Sequence, residues 1–382
     1  MERLIALGKG LFNKRKIHCP KKMKTAAFSS ISKKEECHKN EEECHKNEKV
    51  NTLHPDYFLS TIAGEDFAAV ALSLRGKNHI TQEMVLQDYH KLQLMDDHTI
   101  LVVVADGVGS EPRADEGAEI ACTNAAAYFD AHASEMKKDP RTLMKNSFKA
   151  AQNAVAAAAM SAGIDARQMN TTLHAAWMTE KGVWWGHAGD GGILLMDDSG
   201  TLQMPTKPMT AENGEYVIPL LAGESWWQFG FSEGHYQSVM LCTDGIYGRI
   251  TNRTLRSAGI AMDKAMAVTF LSPWAFDWQG GEGGVVRDMF NIFRKPRPSD
   301  FYPRMIQAMS QGGDTQQAER HIVSQVLPYR QPLEALTSIS DDITLAVIQR
   351  KQEHPQSKPI SYYFPPDYHA LNDRIAEILY GE

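Results

Sequence analysis

The sequence lacks several features that would each assign it to a specialised class of proteins. No apolar run approaches the ~18 residues of a membrane-spanning helix, and the first residues lack the small-residue cleavage site of a secretory signal. The five cysteines are scattered and odd in number, unlike the dense pairing of a secreted disulfide scaffold. The net charge of −7 is mild and by itself does not decide about nucleic acid. We therefore expect a cytoplasmic protein with no membrane span and no nucleic-acid partner.

The chain is long and apolar enough to form a full hydrophobic core. Its 382 residues are 43% hydrophobic and 23% charged, and this length allows one large domain or two ordinary ones. We expect a globular domain over residues 56–352. A proline-broken C-terminal segment, residues 353–382, follows it and contains a predicted amphipathic helix at Leu371–Leu379.

Residues 1–55 differ in composition from the rest and are interpreted as an appendage. From Met1 to Lys34 the only acid is Glu2, and the unit ECHKNE then occurs twice at a seven-residue step. The basic arm could contact an acidic surface or a membrane. The cysteines and histidines of the repeated unit could bind zinc, although they lack the C-x-x-C spacing of a zinc knuckle. A solvated tandem duplication, partly helical or disordered, is the other interpretation of this unit.

Apolar runs predict seven strands, and two alanine-rich stretches predict helices. The strands are expected at Phe67–Leu74, Thr99–Ala105, Thr172–Met178, Val183–His187, Ile193–Met196, Ser238–Cys242 and Ile343–Gln349. Three of these strands are expected to form a meander. The helices are expected at Asp115–Met136 and Arg141–Ala162, divided at Asp139–Pro140, while Pro273–Pro303 receives no assignment. Hairpins with grouped helices indicate antiparallel sheets with helices packed outside, not a regular βαβ alternation.

Aspartates lie where the predicted strands begin or end. The set comprises Asp88, Asp106, Asp190, Asp244, Asp341 and Asp342. A single Asp-Gly pair after a strand is more often a turn. Here, however, the pair recurs in order, at Asp106, Asp190 and Asp244, which indicates a shared purpose.

Clustered carboxylates repel one another unless a cation neutralises them. Magnesium and manganese prefer oxygen ligands, and one carboxylate can bridge two such ions about 3.5–4 Å apart. A water held between the ions becomes a hydroxide near neutral pH and can attack a phosphate ester. Asp106 is the predicted bridging residue, because the glycine after it leaves the backbone open to approach.

The motifs QDYH, VVVADGVGS, NTTL, HAGDGG, LCTDGIYG and SDDITLAVI occur in this order between Gly76 and Gln349. Their succession resembles that of the metal-dependent protein serine/threonine phosphatases (PPM type, also called type 2C), especially the divergent bacterial branch. This resemblance implies a four-layer α-β-β-α sandwich, an α+β fold of two antiparallel sheets flanked by helices. It also implies hydrolysis of phosphoserine and phosphothreonine in proteins by a water that bridges two Mn²⁺ or Mg²⁺ ions.

Carried over residue by residue, the resemblance implies a role for each acid. Asp106 resembles the bridging ligand and Gly107 the backbone-carbonyl ligand, and Asp106 and Asp244 are the expected catalytic residues. Asp190 resembles the acid of a third, looser metal site. The implied metal ligands are therefore Asp88, Asp106, Gly107, Asp190, Asp244 and Asp341, and Asp342 lies where an asparagine or aspartate commonly follows the metal acid.

The sequence departs from the family pattern at three places. Gln87 replaces the glutamate that normally helps to hold the second metal, which weakens that site. Val108 replaces the histidine that many animal members have after Asp-Gly. The phosphate-binding arginine is missing from its usual position, and Arg75 and Arg113 are the nearest candidates for that role.

Two histidines border the acids in sequence, and a variable segment separates two of the motifs. We interpret His79 and His90 as hydrogen-bonded structural histidines. The segment Pro205–His235 lies where the family has a variable flap and could help to select substrates. The resemblance also implies a phosphorylated protein substrate, with a serine/threonine kinase or its targets as partner.

Other classes fit less well. The glycines after Asp106 do not form the G-x-G-x-x-G of a dinucleotide site, no P-loop motif occurs, and a haloacid-dehalogenase-type phosphatase would need a second acid in a D-x-D motif. The remaining alternative is a catalytically weak or silent member that binds a phosphoprotein as a regulator. Retention of the acids favours the enzyme, since a binding module has no use for unpaired, mutually repelling carboxylates.

Overall fold

The structure is a computed structural model that describes residues 57–95, 98–135, 138–211, 216–257, 259–273, 275–292 and 340–351. These residues form two antiparallel sheets that face each other, with helices on both outer faces. The predicted four-layer α-β-β-α sandwich is therefore confirmed. The predicted appendage over residues 1–55 and the predicted helix at Leu371–Leu379 lie outside the described residues.

A six-stranded sheet has the order β1-β2-β11-β10-β7-β8. Its strands are β1 (Tyr57–Ala63), β2 (Phe67–Leu74), β7 (Gly192–Asp197), β8 (Leu202–Gln203), β10 (Tyr236–Cys242) and β11 (Ile343–Arg350). A five-stranded sheet has the order β3-β4-β5-β6-β9. Its strands are β3 (Asp88–Leu94), β4 (Ile100–Asp106), β5 (Leu173–Thr179), β6 (Gly182–Ala188) and β9 (Gln228–Glu233).

The described residues also form seven helices. They are α1 (Lys77–Thr81), α2 (Ala114–Ala131), α3 (Pro140–Ser161), α4 (Asp244–Ile250), α5 (Arg253–Ser257), α6 (Lys264–Leu271) and α7 (Gly281–Ile292), with short 3-10 turns at Ala133–Glu135, Ala166–Met169, Leu220–Ala222, Glu224–Trp226 and Trp278–Gly280. As predicted, α2 and α3 are separate helices. Pro140 lies at the start of α3, and the Asp139 side chain accepts a hydrogen bond of 3.1 Å from the backbone N–H of Thr142, which caps the helix.

Apolar side chains form three layers. One lies between the sheets and includes Val102, Val104 and Leu241. A second lies between the five-stranded sheet and helices α2 and α3, and a third lies between the six-stranded sheet and helices α4, α6 and α7. Strands in the middle of each sheet are thus covered on both faces, which explains why they read as unbroken apolar runs.

All seven predicted strands and both predicted helices are confirmed, with shifts of a few residues at their ends. Three predicted strands, β4, β5 and β6, lie side by side and antiparallel as a meander requires, although two helices separate β4 from β5 along the chain. Strands β5 and β6 form a hairpin, whereas β7 crosses to the other sheet and pairs with β10. Gly189, with a φ of +119°, allows the chain to turn out of one sheet. This crossover places Asp190 between the two sheets.

Part of the unassigned segment Pro273–Pro303 proves to be helical, because α7 begins at Gly281. Within the part of the chain that the structure describes, none of the helices combines the length and the apolar character that crossing a bilayer requires.

Candidate metal centre

The site lies at one end of the sandwich, where strands from both sheets stop. Asp106 is the last residue of β4 and is paired in register with Asp88, the first residue of β3. The backbone of Asp106 is fixed from both sides by Thr172, whose hydroxyl accepts from its N–H at 2.9 Å and whose N–H donates to its carbonyl at 2.8 Å. Two carboxylates are thereby held side by side on adjacent strands.

The crossover and the end of β10 bring two more acids to the same place. Asp190 lies in the turn between β6 and β7, and Asp244 begins α4 directly after β10. Asp106, Asp190 and Asp244 are all partly buried, and one carboxylate oxygen of each lies within 4.8 Å of the others. Such a spacing is suited to oxygen ligands around a shared hard cation.

Asp341 completes the electrostatic cluster from the start of β11. Its carboxylate accepts the N–H of Asp342 at 2.9 Å, and its charge raises the pKa of both Asp106 and Asp244. The structure therefore brings together all five aspartates that the sequence singled out as metal ligands. Their individual roles as ligands stay predictions.

The charges at this site are strongly perturbed. Desolvation, followed by repulsion from neighbouring carboxylates, raises the pKa of Asp244 to about 7. Desolvation raises that of Asp190 to about 6. The pKa values of Asp88 and Asp106 are raised well above the ordinary range for the same reasons, with desolvation again the larger cause. Without a cation, the ionised cluster therefore destabilises the folded chain.

Several buried oxygens at the site have no hydrogen-bond partner among the described residues. They include Oδ1 of Asp88 and Oδ1 of Asp244. A buried acceptor without a donor is costly, and a bound divalent cation would relieve that cost. The donor set, made of carboxylates, matches the preference of Mg²⁺ and Mn²⁺. The residues present therefore fit such ions.

Gly107 fits the carbonyl-ligand prediction sterically but has a structural reason of its own. A Cβ on this residue would lie 2.6 Å from the carbonyl oxygen of Ala114, at the start of α2. Its N–H donates to the carbonyl of Gln87 at 3.1 Å. Gly107 thus lets the first turn of α2 pack against the loop that follows Asp106.

Asp342 has a different environment from its neighbour Asp341. It is buried, and it accepts hydrogen bonds of 2.6 Å from the backbone N–H groups of both Gly76 and Gln87. His79 Nδ1 lies 2.9 Å from Oδ2, the oxygen that also accepts the N–H of Gln87. Interaction with the Asp342 side chain is the main cause of the raised pKa of His79. Asp342 therefore anchors the segments around the site instead of facing it.

Both candidate phosphate-binding arginines already have hydrogen-bond partners nearby in the sequence. Arg113 forms a two-pronged ion pair with Glu116, with Nε 2.6 Å from Oε1, and Arg75 donates to the carbonyl of Met84 at 3.1 Å. The raised pKa of Arg113 comes first from its hydrogen bond to Glu116. Phosphate binding by Arg113 would require it to leave this carboxylate.

Local sequence reasoning missed the hydroxyl groups that hold the acids in place. Thr243 donates to Oδ2 of Asp88 at 2.9 Å and accepts the N–H of Thr344 at 2.8 Å. The one available signal is the position of Thr243 directly before Asp244 and that of Thr344 in the last strand motif. These threonines are buried, so their hydroxyls require such partners.

Replacement of Asp244 by asparagine should stabilise the protein in the absence of metal. The folded-state pKa of Asp244 is about 7, against an ordinary value of 3.8. The resulting destabilisation is absent below the ordinary value, grows as the pH rises and is constant above about 7. In EDTA, Asp244→Asn should therefore melt at a higher temperature than the wild type at pH 8, with a smaller advantage at pH 5.

Excess Mn²⁺ at pH 8 serves as the control for this comparison. Ion binding stabilises the form that holds the ion, so the wild type should then gain more than Asp244→Asn. A wild type that melts at the higher temperature in EDTA at pH 8 would contradict the assigned charge repulsion.

Comparisons with known proteins are consistent with this geometry. A family model described as protein phosphatase 2C matches residues 75–274, more than half of the chain, and this range contains Asp88, Asp106, Asp190 and Asp244. Comparison with curated proteins gives no match.

Three solved structures illustrate the structural similarity. A bacterial serine phosphatase has a TM-score of 0.43 at 12% identity over 79% of this chain and 100% of its own. RsbX in complex with magnesium has a TM-score of 0.42 at 13% identity, over 77% and 100%. The serine/threonine phosphatase PstP of Mycobacterium tuberculosis has a TM-score of 0.40 at 16% identity, over 78% and 98%.

Proposed function

Because the chain belongs to the protein phosphatase 2C family, we propose that it hydrolyses phosphoserine and phosphothreonine in proteins with the help of two bound Mn²⁺ or Mg²⁺ ions. The observation that carries this proposal is the cluster of partly buried carboxylates with raised pKa values. A protein phosphatase is a phosphoric monoester hydrolase. A purely structural domain would have no use for this destabilising cluster of carboxylates.

The proposed ligands are those that the sequence predicts. Asp88, Asp106, Asp190, Asp244, Asp341 and the carbonyl of Gly107 would hold the ions, with Asp190 available to a third one. When bound, such ions neutralise the carboxylates and lower the pKa of water, which makes it a nucleophile towards phosphorus. Asp106 and Asp244 are the proposed catalytic residues, since each lies at the centre of the cluster.

The chain itself contributes rigidity and substrate contacts. Thr172 and Thr243 fix the backbone of Asp106 and the carboxylate of Asp88, so the acids keep their positions as the substrate arrives. Arg75 and Arg113 stay the proposed phosphate contacts. The flap, Pro205–His235, is tied to the site through the N–H of Met209, which donates to the carbonyl of Gly189 at 2.7 Å, and it is the proposed contact for the protein part of the substrate.

Replacement of Gln87 by glutamate should tighten the second metal site. The Gln87 side chain is buried, and its Oε1 has no hydrogen-bond partner among the described residues. A carboxylate in that position adds a negative charge, which strengthens ion binding at the cost of more repulsion in the empty site. We expect Gln87→Glu to reach half-maximal activity at about tenfold less Mn²⁺.

An unchanged Mn²⁺ requirement in this variant would contradict the placement of Gln87 beside the second ion. Gln93→Glu provides a matched control, because Gln93 lies near the end of β3 opposite to Asp88 and its side chain donates to the carbonyl of Leu94. Its Mn²⁺ requirement should equal that of the wild type.

A phosphate-release assay tests the proposed function directly. Phosphoserine and phosphothreonine peptides should release inorganic phosphate with Mn²⁺ and not with EDTA. If the protein binds Mn²⁺ and phosphopeptide but releases no phosphate with either ion, the regulator hypothesis replaces the enzyme. The observation that favours this second candidate is the ion pair between Arg113 and Glu116, because it occupies a guanidinium that the enzyme would need for phosphate.

The remaining expectations from the sequence are part of the same proposal. We propose that residues 56–352 form the phosphatase domain, that residues 1–55 are an appendage and that residues 353–382 are a linker with a helix. A serine/threonine kinase or its phosphorylated targets would be the partner, and a cytoplasmic location would suit the free thiols of Cys122 and Cys242.

A further inference from the structure

A series of hydrogen bonds connects Asp88 to the edge of the sandwich. Thr243, directly after β10, donates to Oδ2 of Asp88 at 2.9 Å and accepts the N–H of Thr344 at 2.8 Å. The Thr344 hydroxyl lies near enough to Asp88 to lower the pKa of that carboxyl, and it donates to Ser73 Oγ at 2.6 Å. Ser73 Oγ lies 2.8 Å from Nδ1 of His90, and Nε2 of His90 lies 3.1 Å from Ser60 Oγ. Thr344, Ser73, His90 and Ser60 belong to strands β11, β2, β3 and β1, so the series crosses between the two sheets.

The series lies in a part of the interior where polar groups are costly. Ser73, His90 and Thr344 are fully buried, and they lie on the strand faces whose apolar residues form the layer between the sheets. Burial lowers the pKa of His90 to about 3, so its ring is neutral at physiological pH, and it stacks on Phe58 at 4.3 Å. A buried polar series of this kind is favourable only when every member is satisfied.

We propose that His90 is a positioning residue that acts through Ser73 and Thr344 to orient the Asp88 carboxylate for ion binding. This inference rests on the proposed function, because it assigns Asp88 to the metal centre. Metal-binding carboxylates are commonly held by such outer partners, whose loss weakens ion binding. The assignment gives a purpose to a buried imidazole that the proposed chemistry otherwise leaves unused.

The hydroxyl groups make the series directional. A hydroxyl carries one proton and can donate only once. If Thr344 donates to Asp88 in place of Ser73, then Ser73 becomes free to donate to Thr344, and the hydrogen bond between Ser73 and His90 reverses its donor. The imidazole ring is therefore sensitive to how Asp88 is engaged, although the two side chains are not in direct contact.

Ser73→Ala breaks the series with the smallest change in volume. We expect it to weaken Mn²⁺ binding about tenfold, as measured by isothermal titration calorimetry on the full chain. Thr344→Val, which removes the hydroxyl beside Asp88 and keeps the shape, should weaken binding at least as much. Ser238→Ala is the matched control, since Ser238 is a buried serine of β10 whose hydroxyl donates to the carbonyl of Leu271; it should keep the wild-type affinity.

A spectroscopic readout separates positioning from a merely structural role. In protein labelled with ¹⁵N-histidine, addition of diamagnetic Mg²⁺ should shift the ring nitrogen signals of His90, identified by their loss in His90→Phe. In Ser73→Ala these signals should no longer respond to Mg²⁺, while thermal melting confirms that the variant is folded.

The outcomes distinguish this inference from the proposed function. Wild-type affinity for Mn²⁺ in both Ser73→Ala and Thr344→Val, or His90 signals that do not respond to Mg²⁺ in the wild type, would overturn the inference alone. A wild type that binds neither ion would overturn the proposed metal centre and the inference with it.

Discussion

Asp106→Asn should lower the turnover of a phosphoserine peptide by about 10³-fold or more. Asp106 lies among the other acids, with Asp88 paired beside it and Asp190 and Asp244 within 4.8 Å between carboxylate oxygens. The substitution removes the negative charge and replaces one carboxylate oxygen by an amide NH₂ group, which would impair the proposed bridging of two ions by Asp106. Metal-ion catalysis is worth several kcal/mol of transition-state stabilisation, and about 4 kcal/mol corresponds to this loss in rate. Initial rates at saturating Mn²⁺ measure the effect.

Asp130→Asn provides the matched control for this loss. Asp130 is an exposed aspartate near the end of α2, so the same chemical change there should leave turnover unaltered. Asp244→Asn should behave like Asp106→Asn in the assay. Full activity in both site variants would remove the metal assignment, whatever the control shows.

Asp342→Ala should destabilise the folded chain by about 3–5 kcal/mol, the range for uncovering one partner of a buried charged pair. The carboxylate of Asp342 holds together Gly76 before α1, Gln87 before β3, and His79 in α1. Its removal leaves two buried backbone N–H groups without an acceptor and His79 without its nearest partner. Urea unfolding in EDTA measures the change in the free energy of unfolding.

Asp341→Ala, one position away, is the control for stability. The Asp341 side chain is 51% exposed and accepts a hydrogen bond from the N–H of the next residue, so its loss should cost about 1 kcal/mol or less. The two variants should thus differ in which property they lose: Asp342→Ala should chiefly lower stability, and Asp341→Ala should chiefly lower Mn²⁺ affinity. Equal unfolding midpoints would show that Asp342 is not the anchor described here.

The sequence predicts the central strands because burial on both sides leaves a clear signal. Strands β4 and β10 are covered by helices on one face and by the opposite sheet on the other, so nearly every residue is apolar. The helices α2 and α3 are equally clear, since long alanine-rich stretches strongly favour helix.

Strand β3 escaped prediction for a reason connected with the site. The inward positions of a strand normally show alternate apolar residues, but in β3 two of them are Asp88 and His90, both buried. Polar groups required at the site thus hide the local pattern. Strand β9 was missed for another reason: it lies at the edge of its sheet, is mostly partly exposed and contains Gly230.

The site itself was predictable as a set of residues and not as a set of contacts. Each acid could be found from its place at the end of a strand, because strand ends are local. The hydrogen bond from Thr243 to Asp88 spans 155 positions of the sequence, and that from Thr344 to Ser73 spans 271. Local sequence patterns contain no information about contacts between residues so far apart in the chain. For the same reason the sequence could not distinguish anchoring Asp342 from Asp341, or reveal that Arg113 is paired with Glu116.

The acids do not all belong to one sheet, and this division affects the mechanics of the molecule. Asp88 and Asp106 belong to the five-stranded sheet, Asp244 and Asp341 adjoin strands of the six-stranded sheet, and Asp190 lies on the crossover. Ions at the centre would link the two sheets of the sandwich at one end and resist sliding of one sheet over the other. Conversely, a distant change in packing that moved one sheet by about 1 Å would separate the ligands and impair the proposed catalysis about 10²-fold, without altering a single acid.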